Sequence, residues 1–147
     1  MSAVAILFSL FGCISGNAEV SNRQDYLNYF RMSITEQIKQ FKKYSLDEQY
    51  NLFLFGNQVM HPPAIYLAHT FAEQGPQVIP LLQKKLKVTQ DELTIRDITA
   101  VFLEFSRLKT YDFSKDADLM KLLKKKTGDM HEGWKKVTLE MVSEIES

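Results

Sequence analysis

Apolar residues recur every three or four positions along most of the chain after residue 22. The stripe Leu27, Phe30, Ile34, Ile38 and Phe41 is one example, and this spacing places its members on one face of an α-helix. It predicts a continuous helix from Asn22 or Asp25 to about Lys43. The polar residues expected on the other face are Gln37, Lys39, Gln40 and Lys42. Only six glycines and four prolines interrupt the whole sequence, which is sparse punctuation for a protein built from many short strands. The pattern predicts an almost entirely α-helical (all-α) protein.

Capping residues divide the chain into about seven helices. Ser45 and Glu48, and then Thr89 and Glu92, have the spacing of a capping box, in which each side chain binds a free backbone N–H of the first turn. A third variant of the box covers residues 129–132. The helix after it carries apolar residues at spacings of three and four: Trp134, Val137, Met141 and Ile145. Because the connections are short, sequential helices are expected to pack as antiparallel pairs, in a HEAT-like array or an irregular helical bundle.

The first 18 residues carry no charged side chain. The apolar run at residues 3–11 is shorter than the roughly 20 residues that span a bilayer, but it suits the central region of a signal peptide. Gly16 and Ala18 fit the small-x-small pattern of a signal peptidase site, with cleavage before Glu19. We therefore expect residues 1–18 to be a signal peptide. Residues 19–147 are expected to form one α-helical domain that is exported, and is periplasmic, secreted or tethered to a membrane.

A competing interpretation concerns Cys13, the only cysteine. Leu10 and Gly12 match a bacterial lipobox, in which Cys13 would be lipidated and become the new N-terminus, although Phe11 is bulkier than the residue usual there. Cleavage before Glu19 would instead leave a chain without a thiol, so that disulfides and thiol catalysis would be excluded. The segment also lacks the Lys or Arg of a standard signal. Two further alternatives therefore stay open: a start codon placed too far downstream, and a first helix buried in the fold.

The formal net charge is zero, with 18 basic and 18 acidic residues, which does not suggest binding to nucleic acid or to a membrane surface. A lipid anchor would be the one membrane contact. The histidines His61, His69 and His131 never pair at the spacing of a helical zinc site, and neither a nucleophile-elbow motif nor a glycine-rich phosphate loop is present. Pairs of carboxylates fall at predicted helix starts, where the helix dipole favours negative charge. We expect no enzyme activity, no metal and no cofactor.

Residues 77–86 and 91–103 resemble a HEAT-type helical repeat. In that family a proline-containing inner helix is followed by an acidic turn, and then by an arginine and an alanine-rich helix; Arg96 and Asp97 lie where the family often has such residues. The resemblance spans about residues 64–110. HEAT-type proteins are mostly scaffolds that bind other proteins, so the resemblance implies a protein-binding role.

Two clusters of lysines lie near predicted helix C-termini, where cations are common because of the helix dipole. The clusters are Lys84, Lys85 and Lys87, and Lys121, Lys124, Lys125 and Lys126. If the helix pairs stack in parallel, both clusters lie on the same rim of the molecule. Such a rim would suit an acidic partner or anionic head groups. The candidate contacts on it are Lys84, Lys85, Lys124 and Lys125.

Aromatic residues and a methionine flank the turn His61-Pro62-Pro63. These flanking residues are Tyr44, Tyr50, Phe53, Met60 and Tyr66. An exposed patch of this composition would suit a protein partner, whereas the alternative is that most of the set belongs to the core. His61 and Tyr66 are the candidate contacts on this turn.

The leading hypothesis is an exported, non-catalytic helical protein that binds an unidentified protein partner. A periplasmic inhibitor or immunity protein would fit the size and the export signal. The alternative is a carrier of a small apolar ligand or lipid, because helix pairs rich in Phe and Leu can enclose an apolar cavity.

Overall fold

The computed structural model describes the backbone of residues 15–147 and the side chains of residues 22–147. The candidate lipidation site, Cys13, and most of the predicted signal peptide lie outside the described residues. The predicted cleavage position before Glu19 falls within the first described helix. The leader, its cleavage and the alternative lipidation therefore stay predictions.

Eight α-helices account for most of the described residues. They are α1 (Ser15–Phe30), α2 (Ile34–Phe41), α3 (Leu46–Gln58), α4 (Tyr66–Ala72), α5 (Ile79–Val88), α6 (Glu92–Leu108), α7 (Ala117–Gly128) and α8 (Glu132–Glu146). Two short 3-10 turns, Pro76–Val78 and Phe113–Lys115, lie between them, and no β-strand occurs within residues 15–147. The prediction of an all-α fold is confirmed, and about seven helices were expected.

The additional helix arises because the predicted first helix is interrupted at residues 31–33. Ser33 has extended backbone angles, φ −61° and ψ 153°, and its hydroxyl accepts a hydrogen bond from the backbone N–H of Glu36 at 3.3 Å. A serine that caps a helix in this way marks the start of a new helix. The predicted continuous helix from about residue 22 to residue 43 is therefore wrong, because α1 and α2 share that stretch.

The break changes which side of α2 is buried. Gln37, which the periodicity placed on the polar face, is 4% exposed, whereas Ile34 is 57% exposed. The Gln37 amide donates a hydrogen bond to the Met32 carbonyl at 2.8 Å, and the Tyr29 hydroxyl donates one to the Gln37 carbonyl at 2.7 Å. A polar side chain is tolerated in the interior because these hydrogen bonds are formed.

Of the first two predicted capping boxes, one is present, and the other has a different capping residue. The box at Ser45 is present, and the Glu48 carboxylate accepts a hydrogen bond from the Ser45 backbone N–H at 2.9 Å. At the second position, α6 is capped by Asp91 rather than by Thr89, since the Asp91 carboxylate accepts the Thr94 backbone N–H at 2.8 Å. A side-chain cap at the start of this helix was predicted correctly, but the capping residue is Asp91, two positions after the predicted Thr89.

Helix α8 starts against α6 and runs parallel to it. The N-cap of α8 is His131, and its backbone N–H and ring Nδ1 lie 2.6 and 2.7 Å from Glu92 Oε1. The third predicted capping box, at residues 129–132, is wrong because the carboxylate comes from α6. At the opposite ends of the two helices, the Arg107 guanidinium donates to the Glu144 carboxylate at 2.9 and 3.2 Å. The starts of α6 and α8 therefore lie together, and so do their ends.

Helices α5 and α7 are also parallel. Lys126, near the end of α7, donates a hydrogen bond at 2.6 Å to the carbonyl of Thr89, just after α5. Pro80 and Asp118, near the two helix starts, line the same groove. Consecutive helices in this region therefore run antiparallel, as predicted, and α6 packs most extensively against α4 and α8.

Phenylalanine rings fill the core. The most deeply buried are Phe41, Phe53, Phe71, Phe102 and Phe105, each 0% exposed. The ring of Phe71 packs against those of Phe41 and Phe53, with centroids 5.6 and 6.2 Å apart. Burying one such side chain contributes roughly 1.5–3 kcal/mol. Helix α6 has buried residues along its length.

The last helix buries a different face from the one predicted. Thr138 is 0% and Val142 3% exposed, whereas Trp134 and Val137 are 42% and 41% exposed. Of the predicted stripe, Ile145 is buried at 6%. Thr138 is accommodated in the interior because its hydroxyl donates to the Trp134 carbonyl at 2.8 Å.

Candidate partner-binding surfaces

The connection between α3 and α4, residues 59–65, exposes a cluster of apolar side chains and is called the turn surface below. Ile65 is 73% and Val59 40% exposed. The other exposed members are His61, Pro62 and Pro63. The peptide bond between His61 and Pro62 is cis. The turn surface therefore presents apolar groups together with one imidazole.

Contacts with buried residues hold the backbone of the turn surface in place. The buried residue Ala64 donates its backbone N–H to the Gly56 carbonyl at 3.0 Å. A β-carbon at Gly56 would lie 2.6 Å from Cζ of Phe30 and 2.9 Å from Cβ of Ala64. Glycine therefore allows α1, α3 and the turn to approach one another closely. From sequence, Gly56 was only a residue that weakens a helix.

The two candidate contacts on the turn have different environments. His61 is exposed, whereas Tyr66 is half-buried. The Tyr66 hydroxyl donates a hydrogen bond to the side-chain oxygen of Gln37, and burial raises the pKa of Tyr66. Tyr66 therefore holds α4 against α2. Its neighbours Tyr50 and Phe53 are 6% and 0% exposed and belong to the core.

A groove between α1 and α3 adjoins the turn surface at Val59. Its volume is about 490 Å³, and Tyr26, Leu54 and Phe55 are among its lining residues. The rings of Tyr26 and Phe55 lie 5.3 Å apart, and the Arg23 guanidinium lies 6.0 Å from the centroid of the Phe55 ring. The groove shares Val59 with the turn surface, and its lining is mixed, because Asn22, Asn51 and Gln58 also contribute to it.

Several of the clustered lysines are engaged within the molecule. Lys85 Nζ lies 2.8 Å from Asp47 Oδ1 and 4.9 Å from the centroid of the Tyr50 ring. Lys124 forms an ion pair with Glu146. Of the four predicted lysine contacts, Lys85 therefore joins α5 to α3, and Lys124 joins α7 to α8.

Lys84 and Lys87 line a groove between α5 and α7, called the α5/α7 groove below. Its volume is about 590 Å³. The residues that line it are Pro80, Gln83, Lys84, Lys87, Asp118 and Leu122. Lys121 and Lys125 lie on the same face of α7 as Asp118 and Leu122, at helical spacings of three, four and seven. Because α5 and α7 are parallel, both lysine clusters lie toward the same end of the molecule.

Four lysines at the α5/α7 groove are exposed: Lys84, Lys87, Lys121 and Lys125. None of them forms an ion pair with any residue in the part of the chain whose side chains are described. Lys84 and Lys125 of the predicted contacts thus face solvent beside a concave surface.

A buried carboxylate joins α3, α6 and α8. Asp97 is 2% exposed and accepts hydrogen bonds from Arg96 at 2.6 and 2.9 Å and from Gln58 at 2.9 Å. The Arg96 guanidinium lies 4.4 Å from the centroid of the Trp134 ring, within the range of a cation–π contact. Burial raises the pKa of Asp97, although Gln58 and Arg96 act to lower it. These contacts orient three helices relative to one another.

The histidines make separate contacts. His69 Nδ1 lies 2.8 Å from Glu104 and Nε2 lies 3.6 Å from Glu73, while His131 contacts α6. Among residues 22–147, no three His, Cys, Asp or Glu side chains are grouped as a metal site requires. No helix in the described part of the chain combines the length and apolar character needed to cross a bilayer.

No family model, curated protein or solved structure matches this chain. The resemblance to HEAT-type repeats over about residues 64–110 is therefore a resemblance of pattern. In the structure that stretch forms α4, α5 and α6, and Arg96 and Asp97 lie together on α6.

Sequence reasoning did not identify the α1/α3 groove or the partners of Asp97. Tyr26 and Phe55 lie on helices whose mutual position depends on Gly56. Gln58 contacts Asp97, and Trp134 contacts Arg96, from distant parts of the chain. The sequence signal that was available is Gly56 itself, a glycine inside an otherwise good helical pattern, which often has a packing reason.

Proposed function

We propose that this protein is an exported, non-catalytic helical protein that binds another protein through the turn surface and the adjoining α1/α3 groove. The observation that carries the proposal is the exposure of Ile65 (73%) and Val59 (40%) on a turn fixed from beneath. Single exposed apolar residues are common on soluble proteins, whereas a contiguous apolar area is typical of an interaction site.

The backbone of the turn is already ordered in the unbound protein. This supports binding, because little more of the backbone has to become ordered when a partner docks. The Ala64 to Gly56 hydrogen bond of 3.0 Å and the close approach of Phe30 already fix the backbone. A preordered surface loses less conformational entropy when a partner docks. Full burial of an aliphatic side chain contributes roughly 1.5–3 kcal/mol, so a few such residues can supply a large share of micromolar affinity.

The arrangement also indicates the kind of partner. Apolar side chains such as Ile65 and Phe55 lie together with polar ones such as Arg23 and Gln58. Protein–protein interfaces combine apolar and polar groups in a similar way. Several carboxylates of the described fold have structural contacts, such as Glu48 in a helix cap and Glu104 with His69, which favours a binding role for the protein over a catalytic one.

The test compares Ile65→Asp with Leu139→Asp, which places the same charge at a residue 44% exposed on α8. Tagged full-length protein is used to capture partners from the exported fraction of the native host, and bound protein is quantified by mass spectrometry. We expect Ile65→Asp to reduce recovery of a specific partner by at least about tenfold, because it removes apolar burial worth more than 1.4 kcal/mol. Leu139→Asp should retain that partner.

Thermal unfolding of both variants provides the control for folding. Exposed side chains contribute little to stability, so both midpoints should stay close to that of the wild type. Equal recovery of every captured protein by wild type and Ile65→Asp would contradict the assignment of the turn surface.

A further inference from the structure

We infer that the α5/α7 groove binds a short acidic segment of a polypeptide, which runs along the groove between the four exposed lysines. This inference rests on the proposed function, because it assigns chemistry to a second contact with a protein partner. It concerns a different face from the turn surface, so that the two can be tested separately.

The helix dipole does not account for all four lysines. A cation is favoured within the last turn of a helix, which explains Lys87 in α5 (Ile79–Val88) and Lys125 in α7 (Ala117–Gly128). Lys84 lies in the middle of α5, and Lys121 lies in the first half of α7. Both positions are too far from the helix end to benefit from its dipole.

Two neighbouring lysines form contacts within the fold. Lys85 pairs with Asp47 at 2.8 Å, and Lys126 is 9% exposed with its ammonium 2.6 Å from the Thr89 carbonyl. The four groove lysines have no carboxylate within ion-pair distance among residues 22–147. They form a local excess of positive charge on a chain whose formal net charge is zero.

The length of the groove matches a short segment of extended peptide chain. Pro80 and Asp118 mark one end, and Lys87 and Lys125 lie seven residues further along their helices. At about 1.5 Å per helical residue this distance is about 10 Å, which is the length of about three residues of extended peptide. The half-buried Leu122 lines the groove, and Val88, 72% exposed, lies just beyond Lys87.

An acidic peptide with an apolar residue fits these features better than a membrane does. Its carboxylates can pair with the lysines while its apolar side chain contacts Leu122 or Val88. A bilayer surface cannot enter a concave site between parallel helices, and the zero net charge gives the whole chain no long-range attraction to anionic lipid. Asp118 repels carboxylates at one end, so the acidic residues are expected near Lys87 and Lys125.

The test is a titration with an acetylated and amidated hexapeptide that alternates glutamate and leucine, followed by ¹H–¹⁵N NMR of the full-length protein. We expect saturable shifts of amides on both walls, including Gln83, Lys84 and Leu122, and weaker binding at higher salt. The same peptide with glutamine in place of glutamate should give no saturable shifts.

Two double variants with the same change in net charge localise the site. Lys84→Glu/Lys121→Glu reverses two groove charges, whereas Lys43→Glu/Lys136→Glu reverses two exposed lysines elsewhere, neither of which has an ion pair among the described side chains. Replacing attraction by repulsion at two exposed pairs is expected to weaken the peptide by about tenfold or more. The second pair of substitutions should change its dissociation constant by less than about twofold.

Three outcomes would overturn the inference. These are equal loss of binding in both double variants, no saturable binding of the acidic peptide to wild type, and cosedimentation of wild type with vesicles of phosphatidylcholine and phosphatidylglycerol that only the groove variant loses. Ile65→Asp should bind the peptide as wild type does. Failure of the peptide experiment with continued loss of partner capture by Ile65→Asp would refute the groove alone.

Discussion

The carboxylate of Asp97 is 2% exposed and contacts Arg96 and Gln58. Because burial raises its pKa in the folded protein, the folded state holds a proton at pH values where the unfolded chain has already lost it. The free energy of unfolding therefore decreases as the pH rises from the ordinary pKa of an aspartate, about 4, through the raised value in the folded state.

Asp97→Asn should remove this dependence. The amide oxygen can still accept from Gln58, but it does not ionise, so the stability of the variant relative to wild type should increase as the pH rises through this window and then level off. Urea unfolding at a series of pH values measures this change in stability.

Glu144→Gln is the counterpart, because hydrogen bonds from Arg107 lower the pKa of Glu144. The stability of Glu144→Gln relative to wild type should fall as the pH rises from the lowered pKa of Glu144 to the ordinary pKa of a glutamate, about 4.3, and then level off. Parallel profiles for all three proteins would refute both assignments.

At the scale of single elements, capping was the part of local structure most readable from sequence, and also the part most often misplaced. The Ser45 and Glu48 box was predicted correctly because both partners lie in one turn. The start of α8 was misplaced because Glu92, which holds it, belongs to α6. The break before α2 was missed because the apolar spacing continues through Ser33, although the backbone does not.

Ser45→Ala should destabilise the protein by about 1 kcal/mol, because it leaves a backbone N–H of the first turn of α3 without its acceptor. Urea unfolding at neutral pH measures the change in the free energy of unfolding. Ser143→Ala, at an exposed position inside α8, is the matched control and should stabilise slightly, since alanine has the higher helix propensity. Equal effects of the two substitutions would mean that the box contributes nothing.

At the scale of the whole molecule, the antiparallel pairing of consecutive helices followed from short connections, and both lysine clusters were found from sequence. Which lysines form ion pairs within the fold could not be predicted. The partners of Lys85 and Lys124 are Asp47 on α3 and Glu146 on α8, far away along the chain. Ion pairing of this kind depends on packing between helices, which periodicity alone does not determine.

The proposed export is also tested on the whole molecule. Intact mass of the protein isolated from its native host should correspond to residues 19–147, and the protein should not react with a thiol reagent, because removal of residues 1–18 removes Cys13. A heavier species that begins at a diacylglyceryl Cys13 would instead identify a lipoprotein. The mass of all 147 residues in native material would contradict export by either route.

The contact between Arg96 and Trp134, at 4.4 Å, has a practical consequence. Trp134 is the only tryptophan in the chain, and its indole is 42% exposed where α8 meets α6. Indole fluorescence responds to the polarity around the ring and to a cation lying on its face. Emission from the unlabelled protein therefore reports the attachment of its last helix to the rest of the fold, and a change in that signal distinguishes loosening of α8 from events confined to the opposite end of the molecule.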